Sequence, residues 1–214
     1  MLTLHHLEKS RSFRIVWALE ELGIEYQLKH YRRQPSFAAP EELKQYHPLG
    51  KAPILTGDDG LVVVESAVIL DYLIDHYDRA RVFRPDDPAL QREYAYWMHY
   101  AEGSLMPLLV MTLVLSMVPK KVPLLIRPVA HKIVDGVGEA FTHPRLKEHL
   151  HYLENYLTHH TYFAGDFSFA DIQMSFPLFA ITERFKGQYP HIHAFVERVQ
   201  QRPAYHQARQ RGGE

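Results

Sequence analysis

The stretch Leu2–Gly23, LTLHHLEKSRSFRIVWALEELG, joins a short apolar strand to an amphipathic helix. Leu2 and Leu4 alternate with polar residues, as one buried face of a strand requires, and apolar residues recur at helical spacing from Ile15 onward. The helix is predicted to begin between residues 10 and 12 and to end at Gly23. The first N–H groups of a helix have no partner within it and carry the positive end of its dipole, so the junction can bind an anion or stabilise a thiolate.

Two hydroxyl groups stand at this junction, on Ser10 and Ser12. Serine is a common N-terminal cap because its Oγ accepts a hydrogen bond from an unpaired N–H of the first helical turn. One of the two can therefore cap the helix while the other faces a ligand. The junction by itself leaves open which serine does which.

The composition limits the chemistry that the chain can perform. The 214 residues include 24 Lys and Arg and 25 Asp and Glu, for a formal net charge of −1, so we expect no nucleic-acid partner. There is no cysteine, which excludes disulfides, thiolate metal sites and a nucleophilic thiol of the protein itself. Any thiol chemistry must use sulfur from a ligand. The closely spaced histidine pairs are not four residues apart on a helix, so we expect no metal.

Two features bear on location. The N-terminus lacks the basic segment, apolar run and cleavage site of a signal peptide, so we expect a cytoplasmic protein. The most apolar stretch, residues 105–118, contains Pro107 and Ser116 and is shorter than the ~20 residues that span a bilayer. We expect a buried helix there and no membrane partner.

The rest of the pattern predicts an α/β domain followed by a helical one. Residues 26–31 alternate as a strand parallel to the first, 40–46 form a short helix, 53–56 and 61–64 form an antiparallel pair, and 66–77 form a helix. Later helices are predicted over 89–117 with a bend at Pro107, over 123–141, 144–157 and 191–201, and from Ser168, where Asp171 completes a capping box. The predicted domains are 1–80 and 89–214, with a linker over 81–88.

This order of elements resembles the glutathione transferase superfamily, which has a thioredoxin-like domain with a mixed four-stranded sheet and an all-α helical bundle. Three motifs agree: the segment 47–53, HPLGKAP, resembles the loop before that family's cis-proline strand, Glu65-Ser66 resembles its acid–serine pair, and 165–171, GDFSFAD, resembles its helical capping motif. The resemblance covers nearly the whole chain. It implies a cytoplasmic, homodimeric detoxification enzyme that uses glutathione as co-substrate.

The segment 8–15, EKSRSFRI, is most similar to the serine-type bacterial and fungal branch. The catalytic serine of that branch precedes an arginine by four residues, which selects Ser10 and Arg14 and leaves Ser12 as the local cap. Arg14 is expected either to anchor the loop or to pair with an acid at the surface. Ser10 is implied to stabilise the glutathione thiolate by donating its O–H to sulfur.

The resemblance also implies the residues that bind glutathione. Glu65 and Ser66 would take the γ-glutamyl group, the backbone of Ala52 before a cis Pro53 would pair with the cysteinyl unit, and Lys51 would meet the glycyl carboxylate. Glu102 is a further candidate, reaching across a dimer interface toward the ammonium.

A small hydrophobic electrophile would bind nearby. The predicted lining residues are Leu7, Tyr100, Ser104 and Met106. Two alternatives stay open: a glutathione-dependent peroxidase or disulfide reductase, and a non-catalytic ligand-binding protein with the same fold.

Overall fold

The first strand, β1, Leu2–Leu7, lies within a four-stranded mixed sheet. The computed structural model describes residues 1–185 and 188–213. The other strands are β2 Tyr26–Tyr31, β3 Ile54–Gly57 and β4 Val62–Val64, in the spatial order β2-β1-β3-β4. β1 runs parallel to β2 and antiparallel to β3, with Leu4 opposite Leu28 on one side and Leu55 on the other. The predicted sheet is confirmed.

Two helices accompany this sheet, α1 Phe13–Leu22 and α2 Ser66–Tyr77. The apolar stripe predicted for α1 is buried, and Ile15 and Leu19 are inaccessible to solvent. Gly23 ends α1 in the left-handed region, with φ 62°, and its N–H donates to Glu20 O. The segment predicted as a short helix near residue 40 is a 3-10 helix, Glu41–Gln45.

The rest of the described chain is helical. Its helices are α3 Pro88–Tyr100, α4 Met106–Lys121, α5 Arg127–Val137, α6 His143–His159, α7 Phe169–Arg184, α8 Pro190–Gln200 and α9 Pro203–Gly212. The capping box of α7 is present as predicted: Asp171 Oδ2 accepts the Ser168 N–H at 2.8 Å. The linker bounds stay a prediction.

Several predicted helix ends are wrong. The helix expected to stop at residue 117 continues through Pro119 to Lys121. The expected break between 141 and 144 is absent, because a wider helical turn, Gly138–Thr142, joins α5 to α6, and Pro144 follows directly after this turn. A similar wide turn, Ala101–Leu105, joins α3 to α4 just before Pro107.

The helix α9 was not predicted at all. Arg202-Pro203 looks like a helix stop in the sequence, yet Pro203 is the first residue of α9. This helix packs on α1, where Arg202 binds Glu21 at 2.6 Å and Arg211 binds Glu20 at 2.9 Å. The two glutamates are therefore held at the contact between α1 and α9.

The expectation of a buried helix at 105–118 is only partly correct. Leu105 and Leu109 are buried, but Leu113 and Val114 are more than half exposed. The continuous helical run Pro88–Lys121 is long and apolar enough to cross a membrane, and only 28% of its most apolar window is buried. An apolar surface on α4 is thus left in contact with solvent.

Candidate active site

The turn between β1 and α1 is held by the hydroxyl of Ser12. This side chain is fully buried, and its Oγ accepts the Leu7 N–H at 3.0 Å and lies 2.9 Å from His6 Nδ1. The other ring nitrogen of His6 lies 3.2 Å from the Gly212 carbonyl, which can only accept, so Nε2 carries the hydrogen and Nδ1 is an acceptor. The Ser12 O–H is therefore shared between His6 Nδ1 and the Leu7 carbonyl, 3.1 Å away.

Ser10 is the hydroxyl of this junction that borders an open cavity. Its Oγ accepts the Ser12 N–H at 3.1 Å and lies 2.7 Å from Ser12 Oγ. Since the Ser12 hydrogen is directed to His6 or Leu7, the O–H of Ser10 donates to Ser12 Oγ. That bond leaves the Ser10 hydrogen free to turn toward a stronger acceptor in the cavity, such as a thiolate. The expected cap is wrong in detail, because Ser10 rather than Ser12 accepts an N–H at the start of the helix.

Arg14 is completely buried and connects three parts of the chain. Its Nη2 lies 2.6 Å from Glu102 Oε1 and donates to Ser66 Oγ at 3.1 Å, and its Nη1 donates to the Gln173 carbonyl at 2.9 Å. Burial lowers the pKa of Arg14 to about 10, so it stays charged near pH 7. Burial also tends to raise the pKa of Glu102, but the charges of Arg14 and Arg11 outweigh it and hold this pKa below its ordinary value.

The turn into α2 presents Glu65 and Ser66 next to each other. Glu65 is exposed and has φ 70°, a left-handed value that costs a non-glycine residue about 1–3 kcal/mol. Ser66 is buried at the first position of α2, so the unpaired N–H groups of the helix start beside it. Because Ser66 Oγ already accepts from Arg14, its own hydrogen is available to an anion.

The peptide bond between Ala52 and Pro53 is cis, as the family resemblance implied. Ala52 lies where two cavities adjoin. A first cavity of about 490 Å³ is bordered by Glu65, Ser66 and Glu102, and a second of about 440 Å³ is bordered by Leu7 and Ser10. Both are lined by Arg11, Leu49, Lys51 and Ala52. Together they form one cleft that runs from the start of α2 to the start of α1.

Comparison with known proteins agrees with this geometry. Residues 1–75 match the model of the glutathione S-transferase N-terminal domain, and residues 105–203 match that of the C-terminal domain. "Glutathione S-transferase 3" of Schizosaccharomyces pombe is 39% identical over 95% of this chain and 85% of its own length. The chain belongs to the glutathione S-transferase family.

Two further members of the family are similar over most of their length. "Glutathione S-transferase 1" of Saccharomyces cerevisiae is 32% identical over 96% of this chain and 92% of its own. The crystal structure of a glutathione S-transferase from Actinobacillus pleuropneumoniae superposes with a TM-score of 0.81 at 34% identity, and covers 100% of this chain and 93% of that one. The α/β domain followed by a helical domain is thus the fold of this family.

The other predicted site residues differ in whether they border the cleft. Lys51 is exposed at the cleft, and Glu102 lies at its edge, bound by Arg11 and Arg14 of the same chain. Among the described residues that line the two cavities, α3 and the turn after it contribute Met98, His99, Glu102 and Gly103 instead of Tyr100, Ser104 and Met106.

The three residues of the predicted electrophile pocket that do not line the cleft lie elsewhere in the helical domain. Tyr100 is buried in the helical domain, where its hydroxyl is bonded to His149 Nδ1 and burial raises its pKa. Met106 is buried as well, and Ser104 is exposed. Helical spacing alone did not show which face of this long helix is turned toward the cleft.

Other residues at the cleft were also not predicted from the sequence, among them Arg11, Phe176 and Gln173. Arg11 holds both oxygens of Glu102 and lines both cavities. Phe176 borders the second cavity and lies under the Arg14 guanidinium at 5.3 Å. Gln173 is buried at the first cavity, and its Oε1 has no hydrogen-bond partner among the described residues. Gln173 and Phe176 belong to the capped helix α7, and its inward face was the only signal that could have indicated them.

Proposed function

We propose that this chain is a serine-type glutathione transferase, in which Ser10 stabilises the glutathione thiolate for attack on a small hydrophobic electrophile. The observation that carries the proposal is the position of Ser10. Its hydroxyl borders the cleft and has an exchangeable hydrogen bond, whereas the Ser12 hydrogen is engaged away from the cleft. The relatives named above support the transferase activity.

The first cavity suits the γ-glutamyl end of glutathione. The Ser66 hydroxyl and the N–H groups at the start of α2 would donate to the carboxylate, helped by the helix dipole. Glu65 and the unpaired Oε1 of Gln173 would accept from the ammonium, as an unsatisfied buried acceptor is costly unless a ligand meets it. In this proposal Arg14 and Glu102 position Ser66, rather than touch the ligand.

The middle of the cleft suits the cysteinyl unit. The backbone N–H and C=O of Ala52, before the cis Pro53, would pair with it as an added strand, and Lys51 would meet the glycyl carboxylate. This arrangement points the thiol toward Ser10. A free thiol of pKa about 8.5 is only a few per cent ionised at pH 7. To lower this pKa by one unit, the site must stabilise the thiolate over the thiol by about 1.4 kcal/mol.

The chemical step follows from these contacts. The thiol loses its proton to solvent, and the thiolate accepts the O–H of Ser10 and faces the positive end of α1. Sulfur then forms a bond to the electrophilic carbon, and the leaving group departs with its electron pair. Leu7, Phe176 and Met98 are among the apolar residues available at the cleft for the electrophile. We further propose a cytoplasmic homodimer.

The test is the pKa of the bound thiol, measured from thiolate absorbance as the pH is raised. We expect a value one to two units below that of free glutathione in the parent protein, and a return toward about 8.5 in Ser10→Ala. Glutathione affinity should change by less than about threefold, while turnover of a nitroaryl electrophile falls at least about tenfold. Ser116→Ala, at an exposed serine of α4, is the matched control. An unchanged thiol pKa and turnover in Ser10→Ala would refute the role of Ser10.

A further inference from the structure

The hairpin of α4 and α5 ends in an exposed apolar tip, defined here as residues 118–133. At its turn, Leu124 is 75% exposed, Leu125 94% and Ile126 50%. Val129 and Ile133 continue the apolar surface onto α5, each more than half exposed. Contiguous apolar residues at such exposure are uncommon on a soluble surface and indicate something that covers them.

The charge around the tip is of one sign. Residues 103–134 contain no Asp or Glu, although the chain has 25 acidic residues. Within the tip, Lys120, Lys121, Arg127 and Lys132 are all exposed. The overall net charge of −1 conceals this local excess of positive charge.

We propose that the tip inserts into the headgroup region of an anionic lipid membrane. The three turn residues would enter the boundary between headgroups and acyl chains, while the surrounding cations bind lipid phosphates. The long aliphatic stems of lysine and arginine allow this, since they lie along apolar surface while their charged ends stay in water. The tip would lie in the interface and not span the bilayer.

A second copy of the chain fits this tip less well. The cores of protein interfaces are depleted in lysine and other charged residues, whereas here cations stand directly beside the exposed leucines. Two identical tips in contact would bring eight cations together, with no acid in residues 103–134 to offset them. An anionic lipid surface meets both the charge and the apolar character.

Vesicle flotation with the full chain tests the proposal. We expect the protein to float with vesicles of phosphatidylcholine and phosphatidylglycerol at 3:1, and at least about tenfold less with phosphatidylcholine alone. Binding should weaken as the salt concentration rises from 0.1 to 0.5 M. Equal flotation with both vesicles, or none with either, would overturn the proposal.

Variants separate the contributions of the tip. The double variant Lys120→Glu/Lys121→Glu should reduce binding to the anionic vesicles at least about tenfold. The double variant Leu124→Gln/Leu125→Gln should reduce it by at least as much. Neither double variant should change nitroaryl turnover. Lys147→Glu, at an exposed lysine of α6, is the charge control. If the leucine variant instead lowers the molecular mass in light scattering while the parent chain fails to float, the tip is a contact between copies and the proposal is wrong.

A fluorescent label gives a direct reading of insertion. Because the chain has no cysteine, Leu125→Cys provides a single attachment point for an environment-sensitive dye. Its emission should shift to the blue with anionic vesicles. The same dye on Val82→Cys, at a residue 56% exposed outside the helical hairpin, should not shift. Equal shifts at both positions would contradict insertion through the tip.

Discussion

The two serines of the junction between β1 and α1 should have opposite mutational effects. In Ser12→Ala, the Leu7 N–H and His6 Nδ1 lose their buried partner. Each such group costs about 1–3 kcal/mol when it is left unsatisfied, so with partial relaxation we expect a loss of about 2–4 kcal/mol in the free energy of unfolding. In Ser10→Ala, Ser12 Oγ keeps its other partners and only the Ser12 N–H loses its acceptor, so the loss should be smaller, about 1–2 kcal/mol.

Turnover should follow the reverse order. A hydrogen bond to a charged group contributes about 1.5–3 kcal/mol, so without the Ser10 O–H we expect turnover at pH 7 to fall about tenfold to a hundredfold. Ser12→Ala leaves the Ser10 O–H in place and removes an acceptor that competes for it. Its turnover per folded molecule should therefore stay within about threefold of the parent chain.

The assay pairs urea unfolding, followed by the fluorescence of the buried Trp17 and Trp97, with nitroaryl turnover at a temperature where both variants are folded. Ser116→Ala again serves as the control. The reasoning fails if Ser12→Ala abolishes turnover while its unfolding curve is unchanged, because Ser12 would then be the group that faces sulfur. It also fails if both variants lose stability equally.

Three other outcomes follow from the geometry. Glu102→Gln should lower stability by about 2–3 kcal/mol in urea unfolding and weaken glutathione binding, because the buried Arg14 loses its charged partner; Glu197→Gln, at an exposed acid, should do neither. Asp171→Ala should cost about 3 kcal/mol in the same assay, since the buried carboxylate accepts two backbone N–H groups and a hydroxyl, and full stability would contradict the capping box. Burial lowers the pKa of His6 from 6.5 to about 4, so the unfolded chain takes up its proton first as the pH falls. Stability should therefore be lost between about pH 6.5 and 4, by at most about 3 kcal/mol from this group, and His6→Gln should make urea midpoints at pH 7 and 4.5 more similar.

Local signals in the sequence were sufficient for the sheet and its flanking helices. The alternation in β1, the helical period of α1 and the turn at Gly57–Gly60 are each contained in a few consecutive residues. The Ser168–Asp171 box is equally local. These features depend little on tertiary context, and the structure has them where they were expected.

The site depended on contacts that no local pattern contains. The hydrogen of Ser12 is directed by His6, whose tautomer is set by the carbonyl of Gly212, 206 residues away along the chain. The inward face of α3 could not be deduced from Tyr100, because an aromatic residue on a helix fits a core as well as a cleft. The sequence placed the candidate residues on their elements, and packing determined which of them border the cleft.

The bond between His6 and Gly212 also has a consequence for biosynthesis. The strand and helix that flank Ser10 leave the ribosome before the carbonyl that fixes the His6 ring, which belongs to the last turn of α9. A chain in which the sheet and α1 have folded but α9 has not would lack the Gly212 carbonyl as the partner of His6 Nε2, so the tautomer that directs the Ser12 hydrogen would not be set. The hydrogen bonds of the Ser10–Ser12 pair are thus fixed only after residue 212 has been made and α9 has packed on α1, so the direction of the hydroxyl hydrogens beside the cleft depends on a helix about 200 residues further along the chain.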